Sequence, residues 1–159
     1  MSVKYHNFGG VIGWNLQKYF PNLSSDSYLK LQRSTRNKLQ QEYIDYFLST
    51  DEPPMPLVVN LETINRCNST CSFCTANKNA EKRPYKRMED SLFYSIIDQL
   101  ADWGYTGHLT LYGNNEPFLD TRIVDFHKYC REKLPHSFIF LSSNGLLLTV
   151  DKVKEIIPY

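Results

Sequence analysis

The chain has 159 residues, of which 42% are hydrophobic and 14% aromatic, enough for one ordinary folded domain with a core. Its 18 basic and 17 acidic residues leave a net charge of +1, so no overall field favours nucleic acid or an anionic membrane. No apolar run approaches the roughly 20 residues that span a bilayer, and the first residues lack the layout of a signal peptide. We therefore expect a cytoplasmic protein without a nucleic-acid or membrane partner.

The N-terminal third predicts a mainly helical arm. Residues 1–22 are aromatic and glycine-rich and predict no particular element. From Ser24 to about Ser49 the apolar spacing is helical, and one stripe carries Leu39, Tyr43, Ile44, Phe47 and Leu48. Three prolines between positions 53 and 56 then stop the helix and indicate a linker or a sharp turn. We predict an N-terminal helical extension over 1–55 and a second unit over 56–159.

Strands and helices alternate along the second unit. The predicted elements are a strand over 57–62, a helix over 88–103 capped by Gly104, a strand over 108–112, a helix that Asp120 caps and that runs to about Lys133, a strand over 137–141 and a helix that begins near Thr149 or Asp151. Three successive strand–loop–helix units predict an α/β fold with parallel strands. Ligand sites of such folds lie in loops at the carboxyl ends of the strands, and the three most unusual loops lie there.

Three of the four cysteines, Cys67, Cys71 and Cys74, lie within eight residues, whereas Cys130 lies far from them. In a reducing compartment this clustering indicates metal or redox chemistry, and a disulfide would leave an odd thiol. Three thiolates can wrap one side of a cubane iron–sulfur cluster and leave its fourth iron open to a small molecule. Zinc is the alternative, although structural zinc sites usually have a second ligand pair. Cys130 is interpreted as a small buried hydrophobe.

The segment from Glu62 to Cys74 resembles the cysteine motif of the radical S-adenosylmethionine (SAM) superfamily, including the aromatic Phe73 just before the third cysteine. The resemblance covers close to two-thirds of the chain. It implies a partial (β/α) barrel of parallel strands, with about three of the family's six strand–helix units present. It also implies that Cys67, Cys71 and Cys74 hold a [4Fe–4S] cluster, and that Phe73 shields the cluster or helps to place adenine.

A second loop resembles the glycine-glycine-glutamate segment of the same family. It comprises Gly113, Asn114, Asn115 and Glu116, so asparagines replace the usual glycines. The resemblance implies that Glu116 pairs with the α-ammonium of SAM while backbone carbonyls accept its remaining protons. Asparagine tolerates left-handed conformations, so the turn can survive the replacement. The alternative is a simple polar turn.

A third loop, at Ser143 and Asn144 ahead of Gly145, resembles the family's threonine-asparagine-glycine segment. Its hydroxyl and amide groups could hydrogen-bond the ribose or carboxylate of SAM. A purely structural turn is again the alternative, because Asn-Gly is primarily a turn signal.

The resemblance implies an enzyme with two cofactors, a [4Fe–4S] cluster and SAM. A reduced cluster passes one electron to the sulfonium of SAM, which releases methionine and a 5′-deoxyadenosyl radical that abstracts hydrogen from a substrate. The implied partners are an electron donor such as flavodoxin or ferredoxin and a small-molecule, sugar or peptide substrate. The basic run from Lys78 to Arg87 could meet an anionic substrate or an acidic donor, although such runs are more often solvated loops.

Three strand–helix units leave the second half of the family's barrel unaccounted for. An incomplete barrel exposes the edge of its last strand and much of its apolar interior. We expect the missing wall to come from the rest of a longer chain, with another subunit as the alternative. The stretches around Cys67 and Glu116 resemble family members with a cysteine-rich C-terminal domain for auxiliary clusters. Two further functions stay open: a catalytically inactive iron–sulfur binding module and a zinc-stabilised interaction domain.

Overall fold

The computed structural model describes residues 25–51, 54–74, 77–79 and 81–159. The expectations for residues 1–22 and for a helix cap at Ser24 lie outside these ranges. The first element is the helix α1 (Ser25–Ser49), and its extent agrees with the sequence prediction.

The end of α1 is exposed, whereas the proline-rich segment that follows it is partly buried. Ile44, Phe47 and Leu48, three residues of the predicted stripe of α1, remain exposed, so this part of the stripe is not packed against the core. Pro54 and Met55 are buried instead, and Met55 packs in the hydrophobic core. The proline-rich segment thus contributes to the core and is more than a linker. The domain boundary after residue 55 stays a prediction.

Three parallel strands form one sheet in the spatial order β1 (Val58–Asn60), β2 (His108–Thr110) and β3 (Phe138–Phe140). All three lie within the predicted strand segments and are shorter than those segments. The predicted α/β class with parallel strands is confirmed, because each strand is followed by a loop and a helix before the next.

The two faces of this sheet have different environments. In the strand register, Val59 aligns with Leu109 and Leu109 with Ile139, and all three belong to the hydrophobic core or pack against it. Side chains alternate between faces along a strand, so their neighbours point the other way. Val58 and Phe140 on that opposite face are 50% and 43% exposed. One face is covered by helices and the other is open, which agrees with the predicted partial barrel.

Three helices follow the strands: α2 (Asp90–Asp102), α3 (Ile123–Lys133) and α4 (Val150–Ile156). The helices α2 and α3 meet through the rings of Phe93 and Phe126, which stack with their centroids 3.8 Å apart. The fully buried hydrophobic side chains include Phe93, Phe126, Ile97, Leu109, Leu111 and Cys130. Burying such side chains stabilises a fold by about 1.5–3 kcal/mol each, so the contact between the helices and the sheet contributes strongly to stability.

The helix ends test three sequence predictions. Gly104 caps α2 as predicted, with a φ of +67° that suits glycine. The helix α4 begins at Val150, near Thr149 as predicted, and Thr149 caps it because its Oγ1 accepts the N–H of Lys152 (3.3 Å). Asp120 does not occupy the predicted cap of α3, because Arg122 holds that position while Asp120 Oδ1 accepts the Arg122 N–H (3.1 Å). A short 3₁₀ helix (Pro117–Leu119) precedes it.

A membrane-spanning segment would need a long and strongly apolar helix. No helix within the described residues has the length and hydropathy to cross a bilayer.

Candidate functional site

The loop that carries the three cysteines begins at the carboxyl end of β1 and is held at its base by the basic run. Asn65 Nδ2 donates to the Pro84 carbonyl (2.7 Å), and Asn65 Oδ1 accepts the Lys86 N–H (2.8 Å). The Arg66 guanidinium donates to the carbonyl of Arg83 (2.9 Å). The basic run is therefore exposed yet fixed, since its backbone closes over the start of the cysteine loop.

All three cysteines of this loop are free of disulfides and partly exposed. The Ser69 N–H donates to Cys67 Sγ (3.4 Å), and Ser69 Oγ lies 3.2 Å from Cys71 Sγ. The Cys74 N–H donates to the Cys71 carbonyl (3.2 Å), which closes a turn. Asn77 Nδ2 donates to the carbonyls of Cys71 and Cys74 (3.1 and 2.8 Å). Hydrogen bonds of its own residues therefore order this loop.

The thiols can be tested against the needs of an iron–sulfur cluster. Clusters take thiolate ligands from loops that leave the sulfurs accessible, and three free thiols in one partly exposed loop fit that donor chemistry. Across the described ranges, no three His, Cys, Asp or Glu side chains are already gathered to hold a metal ion. Cluster binding by Cys67, Cys71 and Cys74 therefore stays a prediction that their chemistry supports.

The second loop follows β2 and lies against Glu62, a residue at the end of β1. A Cβ added at Gly113 would come 3.0 Å from Glu62 Oε2, so glycine permits this close approach. The Asn114 N–H donates to the same oxygen (2.9 Å), and Asn115 Oδ1 accepts the Gly113 N–H (2.8 Å). Among the described residues only glycines have positive φ, so neither asparagine adopts the left-handed conformation that was considered for it.

Glu62 also binds the basic run. Its Oε1 accepts the Arg83 guanidinium (2.9 Å), while Arg83 pairs at the same time with Glu81 (2.6 Å). Hydrogen bonding to Arg83 lowers the pKa of Glu81 to about 2. One carboxylate, Glu62, thus connects the strand end, the second loop and the basic run.

Glu116 is 1% exposed and belongs to the interior of the site. Its Oε1 accepts the Phe118 N–H (3.0 Å) and the Ser143 hydroxyl (2.8 Å), and its Oε2 accepts the Asn144 N–H (2.7 Å). Its own N–H donates to the Arg66 carbonyl (2.8 Å). A carboxylate has about four acceptor positions, so one on Oε2 remains. The expected contact with the ammonium of SAM stays a prediction.

The third loop follows β3 and turns at Gly145, whose φ is +78°. Ser143 Oγ accepts the Gly145 N–H (2.9 Å) while donating to Glu116, and Asn144 Oδ1 accepts the Leu146 N–H (3.0 Å). The structural turn considered for this segment is present. Contacts of Ser143 and Asn144 with SAM stay predictions.

The third loop also reaches the cysteine loop. Asn144 Nδ2 lies 2.8 Å from Asn68 Oδ1 and 3.8 Å from Cys67 Sγ. Together with the Glu116 contacts, this brings the three predicted loops into one hydrogen-bonded edge of the sheet. Phe73, which was also predicted to belong to the site, is 89% exposed. Its role beside a cluster or adenine stays a prediction.

Sequence reasoning missed two residues of this edge. The cysteine motif contains both Glu62 and Ser69, but it predicts neither the contact of Glu62 with the second loop nor the contacts of Ser69 with the sulfurs. The signal for Glu62 was available, because an acidic residue at a strand end faces the neighbouring loop in a parallel sheet. No local signal identifies Ser69, since its contact with two sulfurs depends on the shape of the loop.

The fold and this edge define a class: parallel α/β proteins with a loop of three free cysteines at the carboxyl ends of the strands. Residues 61–159 match the model of the Radical SAM superfamily, which is 99 of 159 residues. The chain therefore belongs to the radical SAM superfamily, a family of enzymes, as the cysteine motif predicted.

Similarity to individual proteins is lower and partial. The chain is 22% identical, over 99 residues, to the S-adenosyl-L-methionine-dependent 2-deoxy-scyllo-inosamine dehydrogenase of Niallia circulans, covering 62% of this chain and 39% of the relative. It is similar to the crystal structure of BtrN in complex with AdoMet and 2-DOIA, with a TM-score of 0.60 and 22% identity, over 65% of this chain and 42% of BtrN.

A second crystal structure of BtrN, in an open conformation, gives a TM-score of 0.58 at 21% identity, over 69% of this chain and 47% of that one. At these identities the likeness shows the fold alone. The chain spans about two-fifths of the length of the curated relative.

Proposed function

We propose that this chain forms the SAM-activating part of a radical SAM enzyme. One observation carries the proposal: the cysteine loop, the Glu116 loop and the Ser143–Asn144 loop share one edge and are joined through Glu116 and Asn144. A reduced [4Fe–4S] cluster, when bound, supplies the electron that cleaves SAM to methionine and a 5′-deoxyadenosyl radical for hydrogen abstraction. The missing wall would come from a longer chain or another subunit.

The residues of this edge would divide the work of binding. Cys67, Cys71 and Cys74 would supply three thiolates, which leaves one iron for the amino and carboxylate groups of SAM. Glu116 has one acceptor position on Oε2 for the SAM ammonium. Two of its other three positions hold the third loop through Ser143 and Asn144, and the last accepts the Phe118 N–H.

The remaining predicted groups would complete the contacts with SAM. Gly113, Asn114 and Asn115 offer backbone carbonyls beside Glu116, and Ser143 and Asn144 offer polar side chains for the ribose or carboxylate. Phe73, as an exposed ring in the cysteine loop, would exclude water from the cluster or stack on adenine.

The substrate and partners are proposed at a coarser level. The similarity to a 2-deoxy-scyllo-inosamine dehydrogenase supports a small molecule as the substrate, with sugars and peptides as the other classes to be tested. An electron donor of the flavodoxin or ferredoxin type would reduce the cluster. A reducing compartment such as the cytoplasm would keep the three thiols available as ligands.

Anaerobic reconstitution of the full-length protein with iron and sulfide tests this proposal. We expect about four irons per chain with matching sulfide, and dithionite-dependent cleavage of SAM to methionine and 5′-deoxyadenosine. Cys71→Ala should lose the iron, whereas Cys130→Ala, at a core position, should retain it.

The other outcomes identify the competing functions. Iron uptake without SAM cleavage would favour an inactive iron–sulfur binding module. A colourless protein with one bound zinc would favour a zinc-stabilised interaction domain. Unchanged iron content in Cys71→Ala would remove the basis of the proposed site.

A further inference from the structure

Asn144 makes a contact that its sequence context does not predict. Its carboxamide nitrogen lies 3.8 Å from Cys67 Sγ, a distance within the range of N–H···S hydrogen bonds, across 77 positions of the chain. The same nitrogen donates to Asn68 Oδ1 at 2.8 Å. The two protons of the carboxamide therefore have two acceptors, one of them a predicted cluster ligand.

Two hydrogen bonds orient this carboxamide, and a third holds the backbone of Asn144. Asn144 Oδ1 accepts the Leu146 N–H (3.0 Å), which assigns the oxygen to that side of the amide and the nitrogen to the sulfur. The Asn144 N–H donates to Oε2 of the buried Glu116 (2.7 Å). Asn68 receives the other proton. The donor is thus held in place before any ligand binds.

We propose that Asn144 is a positioning residue that donates a hydrogen bond to the Cys67 thiolate, stabilises its binding to the cluster and raises the reduction potential of the cluster. This inference rests on the proposed function, because it assigns Cys67 as a cluster ligand. Reduction adds negative charge that spreads onto the ligating sulfurs, and a fixed donor stabilises that charge. The backbone N–H of Ser69 is a second donor to the same sulfur.

Two substitutions and one matched control separate this role from others. Asn144→Ala removes the carboxamide, whereas Asn144→Asp retains its shape and its acceptor for Leu146 but replaces the donor by a charged acceptor. Asn79→Ala is the control, since Asn79 is an exposed asparagine of the neighbouring basic run whose N–H donates to Asn77. The three variants are made in the full-length protein and reconstituted anaerobically.

The measurements are made without SAM, so any direct contact of Asn144 with SAM contributes nothing. The reduction potential is titrated by the EPR signal of the reduced cluster, and iron release to a chelator is timed. For Asn144→Ala we expect about a tenfold smaller equilibrium constant for reduction, which is about 59 mV for one electron. Its iron release should be about 10–100-fold faster, as for other residues that support metal ligands.

Asn144→Asp should lower the potential further than Asn144→Ala, because a negative charge then faces the sulfur. If Asn144→Ala fails to fold, Asn144→Asp alone still tests whether the donor raises the potential. If both variants match the wild type and Asn79→Ala in potential and iron release, the inference is wrong while the proposed function stands. If the wild type takes up no iron, the proposed function and this inference fail together.

Discussion

The molecule has two regions that are built from different interactions. One is the helical layer, in which α2 and α3 cover the sheet, and the other is the loop edge, in which the three loops meet at the carboxyl ends of the strands. In the helical layer, stacked rings and aliphatic side chains fill the space, as Phe93 and Phe126 do. At the loop edge, the buried Glu116 and the loops around it are joined by hydrogen bonds over 27 and 28 positions of the chain. Apolar packing therefore determines the stability of the fold, and polar contacts determine the geometry of the site.

The cysteines illustrate the same division. Cys130 is fully buried in the helical layer, and desolvation raises the pKa of its thiol to about 12. The three loop cysteines are partly exposed and contact polar groups such as Ser69. Identical side chains thus serve as a core residue in one region and as candidate ligands in the other.

The largest expected contrast is in thiol reactivity. In the cluster-free protein, a maleimide should modify Cys67, Cys71 and Cys74 readily, and Cys130 about a thousandfold or more slowly. Cys130 reacts only when the fold opens, and opening a stable core costs about 5 kcal/mol or more. Mass spectrometry of the labelled peptides measures the four rates, with Cys130→Ala as the control for assignment. Comparable labelling rates at Cys130 and Cys67 would contradict the assignment of Cys130 to the core and of Cys67 to the exposed loop edge.

A matched pair of phenylalanine substitutions should separate the two regions by stability. Phe126→Ala removes a fully buried ring and should lower the free energy of unfolding by about 3–5 kcal/mol. Phe73→Ala, at an 89% exposed position, should change it by less than about 0.5 kcal/mol. Urea denaturation measures the free energy of unfolding of both variants. A large loss of stability in Phe73→Ala would mean that the cysteine loop contributes to the core.

Glu116→Gln tests the polar network itself. The neutral amide presents N–H groups to at least one of the present donors, so a buried donor loses its acceptor at a cost of about 1–3 kcal/mol. The amide hydrogen of Asn144 should also exchange faster with solvent. Glu155→Gln, at an exposed position of α4, is the control and should leave both quantities unchanged. Equal stability and exchange in the two variants would show that Glu116 does not hold the third loop.

The smallest expected effect is a pH dependence that arises in the helical layer. Burial, and then the nearby positive charge of Arg131, lower the pKa of His127 below its ordinary value of about 6.5. The unfolded chain therefore binds the proton more readily, so the stability that His127 contributes is complete above about pH 6.5 and declines as the pH falls below it. His127→Gln should flatten the slope of unfolding free energy against pH between about 5 and 7. An identical slope in this variant would assign the dependence to other groups.

Much of the fold could be predicted because its signals are local. The parallel strands, the cap at Gly104, the start of α4 near Thr149 and the extent of α1 follow from spacing and from single residues. The exposed stripe of α1 at Phe47 and the shifted cap at Asp120 could not be predicted in this way. Both depend on which neighbours the folded chain brings to those residues.

The sequence by itself indicated the family, because the cysteine motif after the first strand and the two polar loops after the next strands are each encoded within a few consecutive residues. Only the tertiary structure decided that the carboxylate of Glu116 is buried and that Asn144 reaches Cys67. These contacts join loops that follow different strands, so they exist only once the parallel register has aligned the strand ends. A periodic pattern cannot encode them, since hydrogen bonds at 2.7 to 3.8 Å depend on the positions of separate loops in space.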